Sequence, residues 1–371
     1  MALNTLPNEG LTNRGYPSDR IVTPIIINGD MAVAQRGTSI TGITTNTYSL
    51  DRYTTEGDDC TLTISQDTSV PTGQGFSTSL KMDVTTANSS RDADDIQVIG
   101  QRIEGQNMQM LKYGTSSAEA TTLSFWCRMS QTGTYIVRLY SDDGDRHICK
   151  TFTINAADTW EKKIINIPGD TAGTINNDNG RAMRVTWILD AGTTYTSGTL
   201  ATTWAAQSNA NRAVGITTGW LDSTDSNFYL TGVQWEVGEF DSTSIPSFPF
   251  ESFENNLRKC QRYYYRLNTQ SSGQMHCMGG VSQTAVGRVV LPLPISMRAP
   301  ATSIETTGTA SDYRIQNRNT GTTCSSVPSF ITADFTHVQM NMAVSSGLTV
   351  GDYCALRSGS TDMFIGVPSE L

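Results

Sequence analysis

The sequence predicts an all-β protein, a β-sandwich followed by a second, smaller β domain with a short helix between them. Three observations carry that reading. Charged residues make up only 16% of the 371-residue chain, and its polarity comes instead from Thr, Ser, Asn and Gln, the residues of exposed strand faces and turns. Short stretches alternate apolar and polar residues between Gly- and Asn-rich turns. One window alone repeats its apolar residues with a convincing helical period.

Residues 1–24 read as an N-terminal arm, with Pro7, Gly10, Gly15 and Pro17 and little periodicity. A β-branched strand opens "IVTPIIINGDMAVAQRGTS" and breaks at Asn28-Gly29-Asp30. In "TTLSFWCRM", Leu123, Phe125 and Cys127 fall on one face and Ser124, Trp126 and Arg128 on the other. The clearest hairpin pairs Thr134–Tyr140 with Arg146–Ile154 across the turn "SDDGD", where Asp and Gly supply the backbone angles. "WEKKIINIPGD", "RAMRVTWILDAG" and "NFYLTGVQWEVGEF" follow as further strands, which closes a sandwich over residues 25–250.

A connecting helix is expected over residues 251–267. Phe253, Leu257, Cys260, Tyr264 and Leu267 repeat at spacings of 4, 3, 4 and 3, a seam that packs along one side. Ser252 is the candidate N-cap, and Glu251 and Glu254 favour the positive end of the helix dipole. Arg258, Lys259, Arg262 and Arg266 lie toward the other end, Tyr263 and Tyr265 flank the seam, and the last residues begin to turn toward a strand. Residues 268–371 restart the alternating pattern as a C-terminal β domain. "GRVVLPLPISMRAP" and "FITADFTHVQMNMAV" are its longest strand segments.

Composition excludes several classes. A net charge of −9 disfavours a nucleic-acid partner, which needs a positive field to displace counterions. No apolar run reaches the ~18 residues of a membrane span, and the first twenty residues lack the apolar core of a signal peptide. Seven cysteines without C-x-x-C spacing suggest thiols made in a reducing cytosol.

"INGDMAVAQRGTS" with "YSLDRY", and "FYLTGVQWEVGEFDSTSIPSFPFESFENNLRKCQRYYYRL", resemble a family of tail-fibre or virion-appendage proteins of bacterial viruses. These contain a jelly-roll domain similar to carbohydrate-binding modules, and the resemblance covers roughly residues 25–270. Trp235 departs from it, standing where an aliphatic residue is more usual. The resemblance implies a jelly-roll-like sandwich and a non-catalytic virion protein, a tail or head fibre or knob. It also implies a homotrimer that touches host surface polysaccharide. Residues 1–24 would anchor it to other virion proteins, and the Phe253–Leu267 seam would face its copies across a threefold axis. A capsid decoration protein and a polysaccharide depolymerase are the rival readings.

Candidate glycan platforms are Tyr195, Trp204 and Trp220, aromatics in turn-rich stretches; the alternative for each is a core aromatic at a sandwich edge. Asp142, Asp143 and Asp145 share one turn and could bind calcium, although the same residues are ordinary turn formers. The jelly-roll resemblance adds a second calcium pair, Asp30 with Glu236. No cofactor is required, and a structural calcium ion is the one candidate. His147, His276 and His337 are far apart, and no carboxylate pair or nucleophile motif marks a catalytic site.

Overall fold

The computed structural model describes residues 24–57 and 60–371. Apart from Pro24, the expected anchor over residues 1–24 lies outside the described residues. Two antiparallel sheets form the first body. One orders Ser39–Ile43, Thr61–Asp67, Ser79–Thr86, Asn227–Val237, Thr121–Met129 and Glu161–Ile167. The other has seven strands, in the order Ala205–Ala206, Arg146–Ile154, Gly133–Ser141, Arg181–Ala191, Ile96–Glu104, Tyr53–Glu56 and Thr47–Tyr48. The chain crosses repeatedly between the sheets, and its last strand, Asn227–Val237, returns to the middle of the first one. The body is thus a jelly-roll-like sandwich.

Alternation explains the core. Leu123, Phe125, Cys127, Phe228 and Leu230 from one sheet meet Tyr135, Val137, Leu139, Val185 and Trp187 from the other in a single buried cluster. The Phe125 and Trp187 rings stand edge to face, 5.3 Å apart, between the sheets. Gly232, with φ +60°, sits where the Asn227–Val237 register shifts between Thr231 and Gln234. A Cβ there would come within 2.6 Å of the Phe76 ring, so this bulge needs glycine. Trp235 is buried in the same core. The predicted hairpin forms as Gly133–Ser141 with Arg146–Ile154, and Asp145 takes a left-handed φ of +47° in its turn, a conformation Asp tolerates.

The second body has its own core around Val289, Ile315, Met340 and Leu356. Its seven-stranded sheet is built from strands between Met275 and Ser358, and a two-stranded ladder pairs Tyr264–Asn268 with Phe364–Pro368.

The helix is shorter than its apolar repeat predicts. It spans Phe253–Gln261, capped by the Ser252 hydroxyl, which accepts from the Asn255 amide. Tyr264 and Leu267 belong to the strand that follows, because their backbone pairs with the C-terminal ladder. Cys260 and Tyr264 are fully buried within the single chain, Leu257 and Leu267 are half-buried, and Phe253 is 58% exposed. The expectation of a seam facing other copies therefore fails for Cys260 and Tyr264, whose surfaces are already covered by their own chain.

Candidate functional site

The outward face of the seven-stranded sheet holds the most unusual chemistry. Residues directly opposite each other in an antiparallel ladder share a face. His147, Tyr140, Arg184 and Arg102 therefore form one row across four strands, and Cys149, Arg138, Thr186 and Gly100 form the next. Over part of this face lies the segment 192–217. Its Tyr195, Leu200, Ala213 and Ile216 pack on Val98, Ile136, Cys149 and Ile188 in a small second core. Backbone bonds fasten the segment, among them those from Cys149 N–H to the Ala201 carbonyl (2.7 Å) and from Thr217 N–H to the Thr134 carbonyl (2.7 Å).

Arginines gather here. Arg184 is held by Asp142, which also pairs with Arg181, and Arg102 is held by Glu56 at 3.0 Å. Arg138 and Arg212 make no ion pair with a carboxylate among the described residues, and Glu56 acts on Arg212 only through its field. Arg138 is only 4% exposed; its Nε donates to His147 Nδ1 at 3.2 Å. Its guanidinium lies 4.4 Å from the centre of the Tyr140 ring, and that of Arg212 lies 4.8 Å from the Tyr195 ring. Burial, with the Arg212 charge beside it, pushes the Arg138 pKa down to about 9. Burial and the same two cations push His147 down to about 4. The imidazole is therefore neutral, as its acceptor role toward Arg138 requires.

Of the predicted glycan platforms, only Tyr195 joins this face. Trp204 is half-buried at its edge, where its Nε1 donates to the Pro168 carbonyl at 2.7 Å and its ring meets Tyr113 edge to face. Trp220 is 0% exposed and part of the sandwich core, which corrects its reading as a platform: neither ring face meets solvent.

The acidic turn does not converge on a point. Asp142 binds the two arginines, Asp143 accepts from the Asn176 backbone and side-chain amides, and Asp145 accepts from the Tyr140 hydroxyl. Asp30 and Glu236 do line one small cavity, about 20 Å³ in volume, together with Glu251 and Asn256. The Asn256 amide donates to Asp30 there at 3.0 Å, and burial raises the pKa of both Asp30 and Glu236. Among the described residues no group of three His, Cys, Asp or Glu side chains is arranged to hold a metal ion. No helix among them is long and apolar enough to cross a membrane.

The sequence reading missed Arg138, Tyr140, His147, Arg184 and Arg212. A signal for the first was present: in "TYIVRLY" the inward positions are Tyr135, Val137 and Leu139, so Arg138 is a charge on a strand that is otherwise apolar.

No protein-family model matches the chain, and no curated protein matches it. Solved structures with some likeness include the enzymatically active domain of bacteriophage CBA120 tailspike protein 4, at 12% identity and TM-score 0.32 over 58% of this chain and 21% of that one. Another is the TmCBM61 module in complex with beta-1,4-galactotriose, at 9% identity and TM-score 0.29 over 58% of this chain and 99% of that one. A third is a family 11 carbohydrate-binding module from Clostridium thermocellum, at 10% identity and TM-score 0.27 over 55% of this chain and 97% of that one. At these TM-scores the likeness carries no functional argument, and the fold class rests on the sheets described above.

Proposed function

We propose that this protein is a non-catalytic glycan-binding appendage of a bacterial-virus particle, a fibre or knob that attaches the particle to host surface polysaccharide. The observation that carries the glycan part is the outward face of the seven-stranded sheet, where Tyr140 and Tyr195 are interleaved with guanidinium groups under a segment that the chain itself supplies. A few convergent polar groups and aromatic rings on a rigid sheet suit a saccharide. The virion part rests on the motif resemblance over residues 25–270. Copies in a homotrimer would add avidity to weak single contacts.

The test is retention of the full chain on immobilised host polysaccharide, with the eluate assayed for reducing ends. Retention without new reducing ends is expected. Tyr195→Ala should weaken retention at least ~5-fold, since stacking on an aromatic ring is worth roughly 1 kcal/mol or more, and should lower the melting temperature only modestly, because Tyr195 is half-buried in the small second core. Trp220→Ala should instead destabilise the sandwich by about 3–5 kcal/mol. Release of reducing ends would turn the reading to a depolymerase, and absence of retention would overturn it.

A further inference from the structure

We infer that the outward sheet face takes an anionic group, and that Arg138 and Arg212 receive it: the saccharide bound there carries a carboxylate or sulfate substituent. This deepens the glycan reading and rests on it. The argument begins with charge. A cation removed from water needs a partner, and buried arginines in folded proteins almost always have one. Here Arg52 is matched by Glu370, Arg102 by Glu56, Arg184 by Asp142 and Arg262 by Glu104. Arg138, 4% exposed, is buried more deeply than all of these but Arg52, yet among the described residues the one hydrogen bond of its guanidinium goes to the neutral His147 ring.

The position of its free donors gives the inference its direction. Nη1 and Nη2 of Arg138 donate to no described protein group, and neither is among the orphan nitrogens sealed from solvent. They are therefore unpaired without being wholly sealed from solvent. Arg212, from the overlying segment, also makes no ion pair among the described residues: its Nε is buried without a partner, and its Nη1 makes one long contact, 3.5 Å to Asn209 Oδ1. The two cations are close enough that each enters the electrostatics of His147 and Cys149. Two guanidinium forks that make no ion pair among the described residues, near enough to act on the same two side chains, in a chain of net charge −9, present the planar, paired donors that a carboxylate or sulfate accepts. A neutral sugar would leave them unpaired.

The chain's own carboxylates cannot substitute. Glu56 is engaged with Arg102 and Arg184 and reaches Arg212 only through its field, without an ion pair, Asp142 is engaged with Arg181 and Arg184, and Asp145 with the Tyr140 hydroxyl.

The experiment is thermal unfolding of the full chain in sodium glucuronate, sodium sulfate or methyl glucoside, each matched in ionic strength with sodium chloride. Ligands that bind the folded state alone raise the melting temperature, by about 2–4 °C at roughly tenfold excess over Kd. The expected result is a rise with glucuronate or sulfate, whichever substituent the site fits, and none with methyl glucoside. Arg138→Met should abolish the rise. It should itself melt no lower than the native chain, since it removes an unpaired buried charge. Arg138→Lys should retain part of the effect. An equal rise in Arg138→Met, or none in the native chain with either anion, overturns the anionic site. Retention on neutral host polysaccharide, undisturbed by Arg138→Met, would sink the anionic class while leaving glycan binding intact. An anion-dependent rise without retention on any host polysaccharide would do the reverse.

Discussion

At the residue scale, His147 couples the sheet face to pH. Its ring is 0% exposed, and burial together with Arg138 and Arg212 lowers its pKa from the ordinary 6.5 to about 4. The unfolded chain thus takes up a proton below pH 6.5 that the folded chain refuses until about pH 4. Stability from this group is complete above pH 6.5 and is lost as pH falls through that window, by about 2 kcal/mol at pH 5. Asp51 works in the opposite sense. Burial raises its pKa from 3.8 to about 6, so the folded chain is the one that gains by binding a proton as pH drops below 6. The net profile mixes the two, and the discriminating measurement is a comparison. Urea midpoints at pH 7 and pH 5 should show His147→Gln, whose amide oxygen can still accept from Arg138, losing about 2 kcal/mol less than the native chain. Equal losses would show that His147 is not held neutral. Arg138 and His147 were legible as outward positions on alternating strands, but their contact was not, because pairing register joins residues that sequence spacing keeps apart. Arg212 left no trace in the sequence, since it lies in an aperiodic, turn-rich segment.

At the scale of elements, the alternation in "TTLSFWCRM" and the Asp-Gly hairpin were readable because side-chain direction in a strand has a period of two and the turn has few chemical solutions. The Phe253–Leu267 repeat misled in length, though not in its start: Ser252 caps the helix as its position suggests. A 3.5-residue repeat continues on paper through Tyr264 and Leu267. Their backbone, however, is claimed by the ladder with Phe364–Pro368, a pairing set by residues a hundred positions away. The buried side of the helix also faces inward. Cys260 is fully enclosed, and burial pushes its thiol well above the ordinary range. Asn256 reaches Asp30 and Asn28 in the sandwich. Cys260→Asp should therefore unfold the chain, at a cost of several kcal/mol for an unpaired buried charge. Phe253→Asp should change stability by about 0.5 kcal/mol or less. Light scattering and urea melts of the two variants separate this from an axial seam, in which Phe253→Asp would dissociate an oligomer and Cys260→Asp would only weaken it.

For the whole molecule, the basic and aromatic stretch after the helix is the joint between the two bodies. The Arg52 guanidinium lies 3.4 Å from the Tyr263 ring centre, and that of Arg36 lies 3.6 Å from Tyr264. Both arginines come from the sandwich, and both bind the Glu370 carboxylate from the far end of the chain. Arg262 grips Glu104 of the sandwich through two bonds of 2.8 Å. Arg298 of the second body exchanges bonds with Asn179, donating to its carbonyl at 3.0 Å and accepting from its side-chain amide at 2.6 Å. The tyrosines thus serve as stacking surfaces for buried cations. The composition of the stretch hinted at this role, but its acidic partners are too distant in sequence to be inferred from it. Arg52 is 1% exposed along its side chain, so removing its partner strands a charge in the interface. Glu370→Ala should cost about 3–5 kcal/mol. It should also let the C-terminal body melt before the sandwich, because each has its own hydrophobic core and the joint links them. Scanning calorimetry of the full chain is expected to resolve two transitions in the variant and one in the native protein. A single transition at the native temperature would mean that the two bodies are held together by other contacts, with Arg262–Glu104 the next pair to remove.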